Sequence, residues 1–145
     1  MNERLTEIVE TFELLGDWEQ RYRYLIELGE RLPPMPEELK TEANRVKGCM
    51  STVHIAAYSD PHAPGRIRYH GDCDTAIIKG VLALLIELCS GQTVAAIQAV
   101  DMDVIFERLQ LDEHLSPNRH VGVYAIVDLM KSQAARLRAQ ATAVA

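Results

Sequence analysis

Basic charge is in short supply in this chain: 15 Lys and Arg stand against 21 Asp and Glu, for a net charge of -6. Phosphate backbones are held chiefly by Lys and Arg, so this balance argues against nucleic acid as a partner. Long apolar runs are missing as well. The longest lies within Val81–Ile86, whereas a helix crossing a bilayer takes about 20 apolar residues. No basic start followed by an apolar stretch opens the sequence. The expectation is a cytoplasmic protein with no membrane partner. Cysteine is scarce and odd in number, three in 145 residues, which without a secretion signal favours free thiols over a disulfide framework. No Cys-x2-Cys pair, Gly-rich phosphate loop, Ser/His/Asp signature or acid/base carboxylate pair is present. Nor is there an internal repeat, low-complexity linker or composition shift. The chain is therefore expected to form a single domain over 1–145, with a frayed Ala-rich tail at about 139–145.

What is present is periodic. Leu5, Ile8, Val9, Phe12 and Leu15 recur at helical spacing and stop at Gly16, and Asp17 then caps a second helix carrying Trp18, Tyr22, Leu25, Ile26 and Gly29 on one face. Pro33-Pro34 ends it, and Pro36–Glu42 reads as a short third helix. The period then becomes two: Val53, Ile55 and Ala57 alternate with Thr52, His54, Ala56 and Tyr58, and after a turn-rich stretch Arg66–His70 alternates again. This predicts a β-hairpin, about 50–58 paired with 66–71, with Ile67 and Tyr69 on the face of Val53 and Ile55. Centring the loop sets His54 near His70 and Cys73 near Cys49. Asp72 or Asp74 is the expected N-cap of an almost wholly apolar, central helix through Leu88. Two short helices follow, capped by Thr93 and by Asp101 or Asp103, and Ser116-Pro117 opens the last helix. The fold class expected is α+β, a small antiparallel sheet packed against several helices.

Chemistry is expected at Asn44–His54. Cys49 follows Gly48, a residue that lets the backbone bend, and Arg45 and Lys47 supply positive charge that favours the nucleophilic thiolate. Cys89 reads as a packed core thiol. Cys73 is placed at a helix start, which favours thiolate, between Asp72 and Asp74, which oppose it. Arg119 stands in the first turn of the last helix, where the helix dipole disfavours a cation, so a contact with an anionic group or a partner surface is one reading and a solvated side chain the other. Cys49, Cys73, His54 and His70 converge across the hairpin in a possible metal set, although the side-chain parity sets the histidines on the face away from Cys49.

Four ordered blocks resemble the SufE family: Trp18 with Tyr22 and Leu25–Gly29, Val46–Val53, Gly71–Asp74 with Ile78-Lys79-Gly80, and His114–Arg119 with Gly122. The resemblance spans about Asp17 to Ala135 and implies a fold like that of the IscU-type scaffolds. It implies that Cys49 accepts sulfane sulfur as a persulfide from a PLP-dependent cysteine desulfurase, stimulates that enzyme, and passes sulfur on to an iron-sulfur scaffold complex of the SufB-like kind. Arg45, Lys47, Gly48, Ser51, Asp74 and Arg119 are then the residues of the accepting loop and of partner docking. The PLP belongs to the partner, so no cofactor and no metal is expected in this chain, which acts as a sulfurtransferase-type accessory subunit. Two departures stand out: His54 replaces the family's usual Trp, and Cys73 replaces its usual Ser. Cys73 is thus a possible second thiol, open to a disulfide with Cys49, a sulfur relay or metal ligation. The alternative function is a zinc- or iron-holding scaffold using Cys49, Cys73 and a histidine.

Overall fold

The computed structural model describes residues 2–144, with side chains from 3 to 141. Helix α1 (Asn2–Leu15) ends where Gly16 takes φ +78°, and α2 (Trp18–Glu30) begins under the Asp17 carboxylate, which accepts the Gln20 N–H at 2.9 Å. The hairpin follows as β1 (Val53–Ser59) and β2 (Arg66–Cys73), then α3 (Ala76–Cys89). A two-residue strand β3 (Gln92–Thr93) leads into α4 (Val94–Gln98), α5 (Met102–Leu109) and the long α6 (Pro117–Val144). The sheet is antiparallel in the order β1-β2-β3. The α+β expectation holds.

Helix α3 is the central element, because its apolar residues go all round: Ile78, Val81, Leu82, Leu84, Leu85 and Leu88 are each sealed from solvent. Burial of six such side chains contributes roughly 2 kcal/mol apiece. One side of α3 lies against α2, where a Cβ on Gly80 would stand 2.1 Å from the Leu25 carbonyl oxygen. Only a residue without a side chain permits that approach. The sheet covers another side, with Val53, Ile55, Ile67 and Tyr69 buried on a shared face as the alternation requires. Helix α6 closes the outer edge of β1. There Gln133, a buried polar residue only 5% exposed, donates to Ile55 O at 2.7 Å and to Asn44 Oδ1 at 3.3 Å and accepts from Ala57 N at 3.1 Å.

Several expectations are corrected. The Pro36–Glu42 segment forms only a 3-10 turn, Glu37–Leu39, before Lys40 leaves helical angles. The hairpin pairs 53–59 with 67–73, so His54 faces Asp72 and His70 faces Ala56, two residues apart from the expected match. The N-cap of α3 is Thr75 and not Asp72 or Asp74, because both carboxylates are engaged elsewhere: Asp72 by Lys40 and Lys79, Asp74 by the Thr52 backbone. Cys73 is accordingly the last residue of β2. Of the alternative caps for α5, Asp101 is the one used. Among the described residues no helix is long and apolar enough to cross a membrane.

Candidate functional site

The segment from Asn44 to Thr52 is tied down at both ends and bent in the middle. At its start Val46 is buried and its N–H donates to Val53 O at 2.8 Å, while Asn44 O accepts from Ile55 N at 2.8 Å. Gly48 sits at φ +82°, a left-handed value that a side chain would strain. The turn brings Cys49 back, half-buried, onto the first turns of α6. Its Sγ rests on Gly122: a Cβ there would lie 2.8 Å from the sulfur. Beside the thiol opens a cavity of about 310 Å³, walled by Cys49 and Ser51 from the loop, Thr75 from the start of α3, and Ser116, Asn118 and Arg119 from the start of α6.

The loop's return is clamped by Asp74. Its Oδ1 accepts the Thr52 N–H at 3.0 Å, its own N–H donates to Thr52 O at 3.2 Å, and it also accepts the Thr75 hydroxyl at 3.2 Å. Thr75 Oγ1 in turn meets Ser51 Oγ at 2.7 Å. Since the Thr75 hydroxyl is used this way, it does not cap α3. The structure therefore places two helix starts, those of α3 and α6, at one cavity beside the sulfur. Neither has an acidic residue in its first turn, although the Asp74 carboxylate lies just before α3 and Ser116 Oγ takes the Arg119 N–H of α6. Arg119 adds a full charge: its side chain is exposed and takes part in no ion pair among the described residues, while its backbone N–H donates to Ser116 Oγ at 3.4 Å.

The positive charge comes from a different source than the sequence indicates. Lys47 Nζ is bonded to the Glu42 carboxylate, and Arg45 lies 3.7 Å from the same group. Lys47 first, then Arg45, hold the Glu42 carboxyl below its usual range. Both cations flank the cysteine in sequence but are paired with a carboxylate in space.

The other two thiols are buried. Burial pushes Cys73 up to about 11 and Cys89 up to about 12, keeping both protonated near neutrality. Cys89 belongs to the core cluster, as expected. His70 stacks on Tyr58, and His54 forms a bridge with Arg45. Among the described residues no three His, Cys, Asp or Glu side chains are grouped as a metal ion requires.

Of the residues picked from sequence, Cys49, Ser51 and Arg119 meet at the cavity, with Gly48 making the bend and Asp74 holding the loop from behind through Thr52 and Thr75, and Arg45 and Lys47 do not join them there. Sequence reasoning missed Thr75, which carries no motif of its own, and gave Asn118 no role although it lies in the His114–Arg119 block. It also missed why Gly122 is a glycine; its position in a helix with no turn to make was the available signal. The separated blocks turn out to serve one another. Trp18 stacks on His114 with ring centroids 3.8 Å apart, and Tyr22 Oη donates to His114 O, so α2 holds the loop from which α6 starts.

Comparison with known proteins agrees with this geometry. A SufE-like protein of Rhizobium meliloti is 37% identical over 131 residues, covering 90% of this chain and 94% of the relative. One of Rhizobium etli is 38% identical over 139 residues, covering 94% and 93%. The solution structure of a hypothetical protein from Thermus thermophilus shares the fold with a TM-score of 0.75 at 23% identity, covering 92% of this chain and 94% of that one. The family model for SufE, described as an Fe-S metabolism associated domain, matches residues 6–134. With its loop cysteine seated on Gly122 between two helix starts, this chain belongs to the SufE family.

Proposed function

We propose that the protein accepts sulfur from a PLP-dependent cysteine desulfurase at Cys49, stimulates that enzyme, and delivers the sulfur to iron-sulfur cluster assembly. The observation that carries this reading is the seating of Cys49 Sγ against Gly122, half-buried beside a cavity walled by two helix starts and by Arg119, which makes no ion pair among the described residues. Cys49 thiolate attacks the outer sulfur of the partner's persulfide; that S–S bond breaks, the partner's thiolate leaves, and Cys49 carries the persulfide. The new group is an anion one sulfur longer than the thiolate. The cavity has the room, and the N–H groups of α3 and α6 with Arg119 supply the compensating charge.

Docking uses the surface around the thiol. Met50, next to Cys49, is 84% exposed and Val121, next to Gly122, is 58% exposed, an apolar pair of the sort a protein partner covers. Arg119 supplies a charged contact at the same place. Asp74 acts from behind: it sets the conformation of the loop that the partner must draw out. The PLP is the partner's, and delivery is to a SufB-like scaffold complex, so the chain works as a sulfurtransferase subunit and not as a stand-alone enzyme.

The test mixes the protein with a cysteine desulfurase, PLP and cysteine, quenches without reductant, and maps added sulfur by mass. Cys49 is expected to gain one or more sulfur atoms, and Cys49→Ser to accept none. Sulfur that still reaches the Cys49→Ser protein in equal amount refutes the assignment.

A further inference from the structure

Sulfur acceptance at Cys49 leaves a second nucleophile beside it unused. Cys73 ends β2, its Cα opposite that of Val53, at the point where the Cys49 loop enters β1. Its Sγ accepts the Thr75 N–H at 3.4 Å, and its S–H faces Thr75 O at 3.6 Å. Thr75 is itself a wall of the Cys49 cavity and touches the loop through Ser51. Cys73 thus bonds the backbone of a residue that shares a cavity wall with Cys49. The loop is tied to the Cys73 end of β2 by the Ser51–Thr75 hydroxyl contact and by two bonds between Thr52 and Asp74, one of them backbone to backbone.

Resting on the acceptor reading of Cys49, we infer that Cys73 is a resolving thiol, which discharges a Cys49 persulfide that no acceptor collects by forming a Cys49–Cys73 disulfide and releasing hydrosulfide. The step balances without an outside oxidant. Cys73 gives its proton to solvent and attacks the inner sulfur of Cys49–S–SH. The S–S bond of the persulfide breaks, and the outer sulfur leaves with the bonding pair as HS⁻. Cys73 sulfur is oxidised, the departing sulfur is reduced, and the inner sulfur keeps its oxidation state. Hydrosulfide leaves through the open cavity past Arg119.

Burial decides between this outcome and a relay in which Cys73 takes the outer sulfur. At 7% exposure the Cys73 site disfavours charge, as its raised pKa shows. A persulfide left there would be an anion in that site, whereas a disulfide is neutral and suits it. The same burial sets the pace. With a pKa of about 11 against an ordinary 9.0, Cys73 holds on the order of a hundredfold less thiolate near neutrality. Delivery to a waiting acceptor therefore outruns discharge, and only a persulfide left standing is resolved.

The experiment loads the full chain with inorganic polysulfide, removes the excess by gel filtration, and follows protein mass, linked peptides and free sulfide over time. Wild type is expected to lose its added sulfur and two hydrogens, to yield a Cys49–Cys73 linked peptide, and to release one sulfide per link at a rate independent of protein concentration. Cys73→Ser is expected to hold its Cys49 persulfide about tenfold longer. Decay in wild type with no linked peptide, or equal persistence in Cys73→Ser, overturns the inference. The linked peptide and sulfide stoichiometry are read on wild type, so the outcome stands even where the variant does not fold. Polysulfide loading bypasses the desulfurase, so a failure to accept sulfur from that enzyme is read separately.

Discussion

Gly122→Ala separates the stability of α6 from the seating of the thiol. The new Cβ would stand 2.8 Å from Cys49 Sγ and 3.5 Å from its Cβ. Ordinary contact is about 3.5–4.0 Å, so the sulfur must move by about 1 Å. It can do so at low cost, because Cys49 lies on a surface loop with no helix or strand of its own. The contacts the thiol loses are worth a few tenths of a kcal/mol at roughly 0.1–0.2 per atom pair. Against this, Ala in a helix interior is favoured over Gly by about 0.5–1 kcal/mol. The net expectation is a Tm unchanged or raised by about 1–3 °C, together with a thiol pushed from its seat. Iodoacetamide at pH 8 reads the second effect cleanly, since Cys73 and Cys89 are buried and protonated there. Cys49 alkylation is expected to speed up about threefold or more. An unchanged alkylation rate in a protein of unchanged Tm would refute the claim that Gly122 seats the sulfur.

Gln133→Ala removes three hydrogen bonds and leaves the Ala57 N–H and Ile55 C=O unpaired at a buried edge; a loss of roughly 2–4 kcal/mol is expected in urea denaturation, and a loss below about half of one kcal/mol counts against the arrangement. The raised pKa of Cys73 gives stability that is whole below pH 9 and lost as pH rises towards 11. Two pKa units correspond to at most about 2–3 kcal/mol. Between pH 8.5 and 10.5 a Cys73→Val variant is therefore expected to lose less stability than wild type, and parallel slopes would contradict the burial argument.

Much of the fold could be read from periodicity, because its elements are locally self-consistent: Asp17, Thr93 and Asp101 each cap the helix that follows, and alternation in 53–59 and 66–73 sets the buried face. The errors arise where tertiary partners compete for a group. Asp72 and Asp74 have the right chemistry for capping, yet lysines and a backbone N–H claim them first. The hairpin register turned on how residues 60–65 close, which alternation does not encode; β1 began at Val53 instead of about 50 and ended at Ser59, β2 ran on to Cys73, and His54 met Asp72. At the site, Cys49 and Arg119 were legible from local context. The source of the positive charge was not, because Glu42 lies seven residues before Cys49 and two helix starts reach the cavity from distant parts of the sequence.

The closing of β1 by Asn44, Val46 and Gln133 has a consequence for how this molecule can be gripped. Four outward-facing groups of this edge are taken: Val53 O by Val46 N–H, Ile55 N–H by Asn44 O, and Ile55 O and Ala57 N–H by the two ends of the Gln133 amide. No second copy of the chain can lengthen the sheet along that stretch, and no partner can add a strand there. On the proposed reading a desulfurase does not hold this edge by strand addition, and side-chain contacts around the thiol can let go once the sulfur has moved.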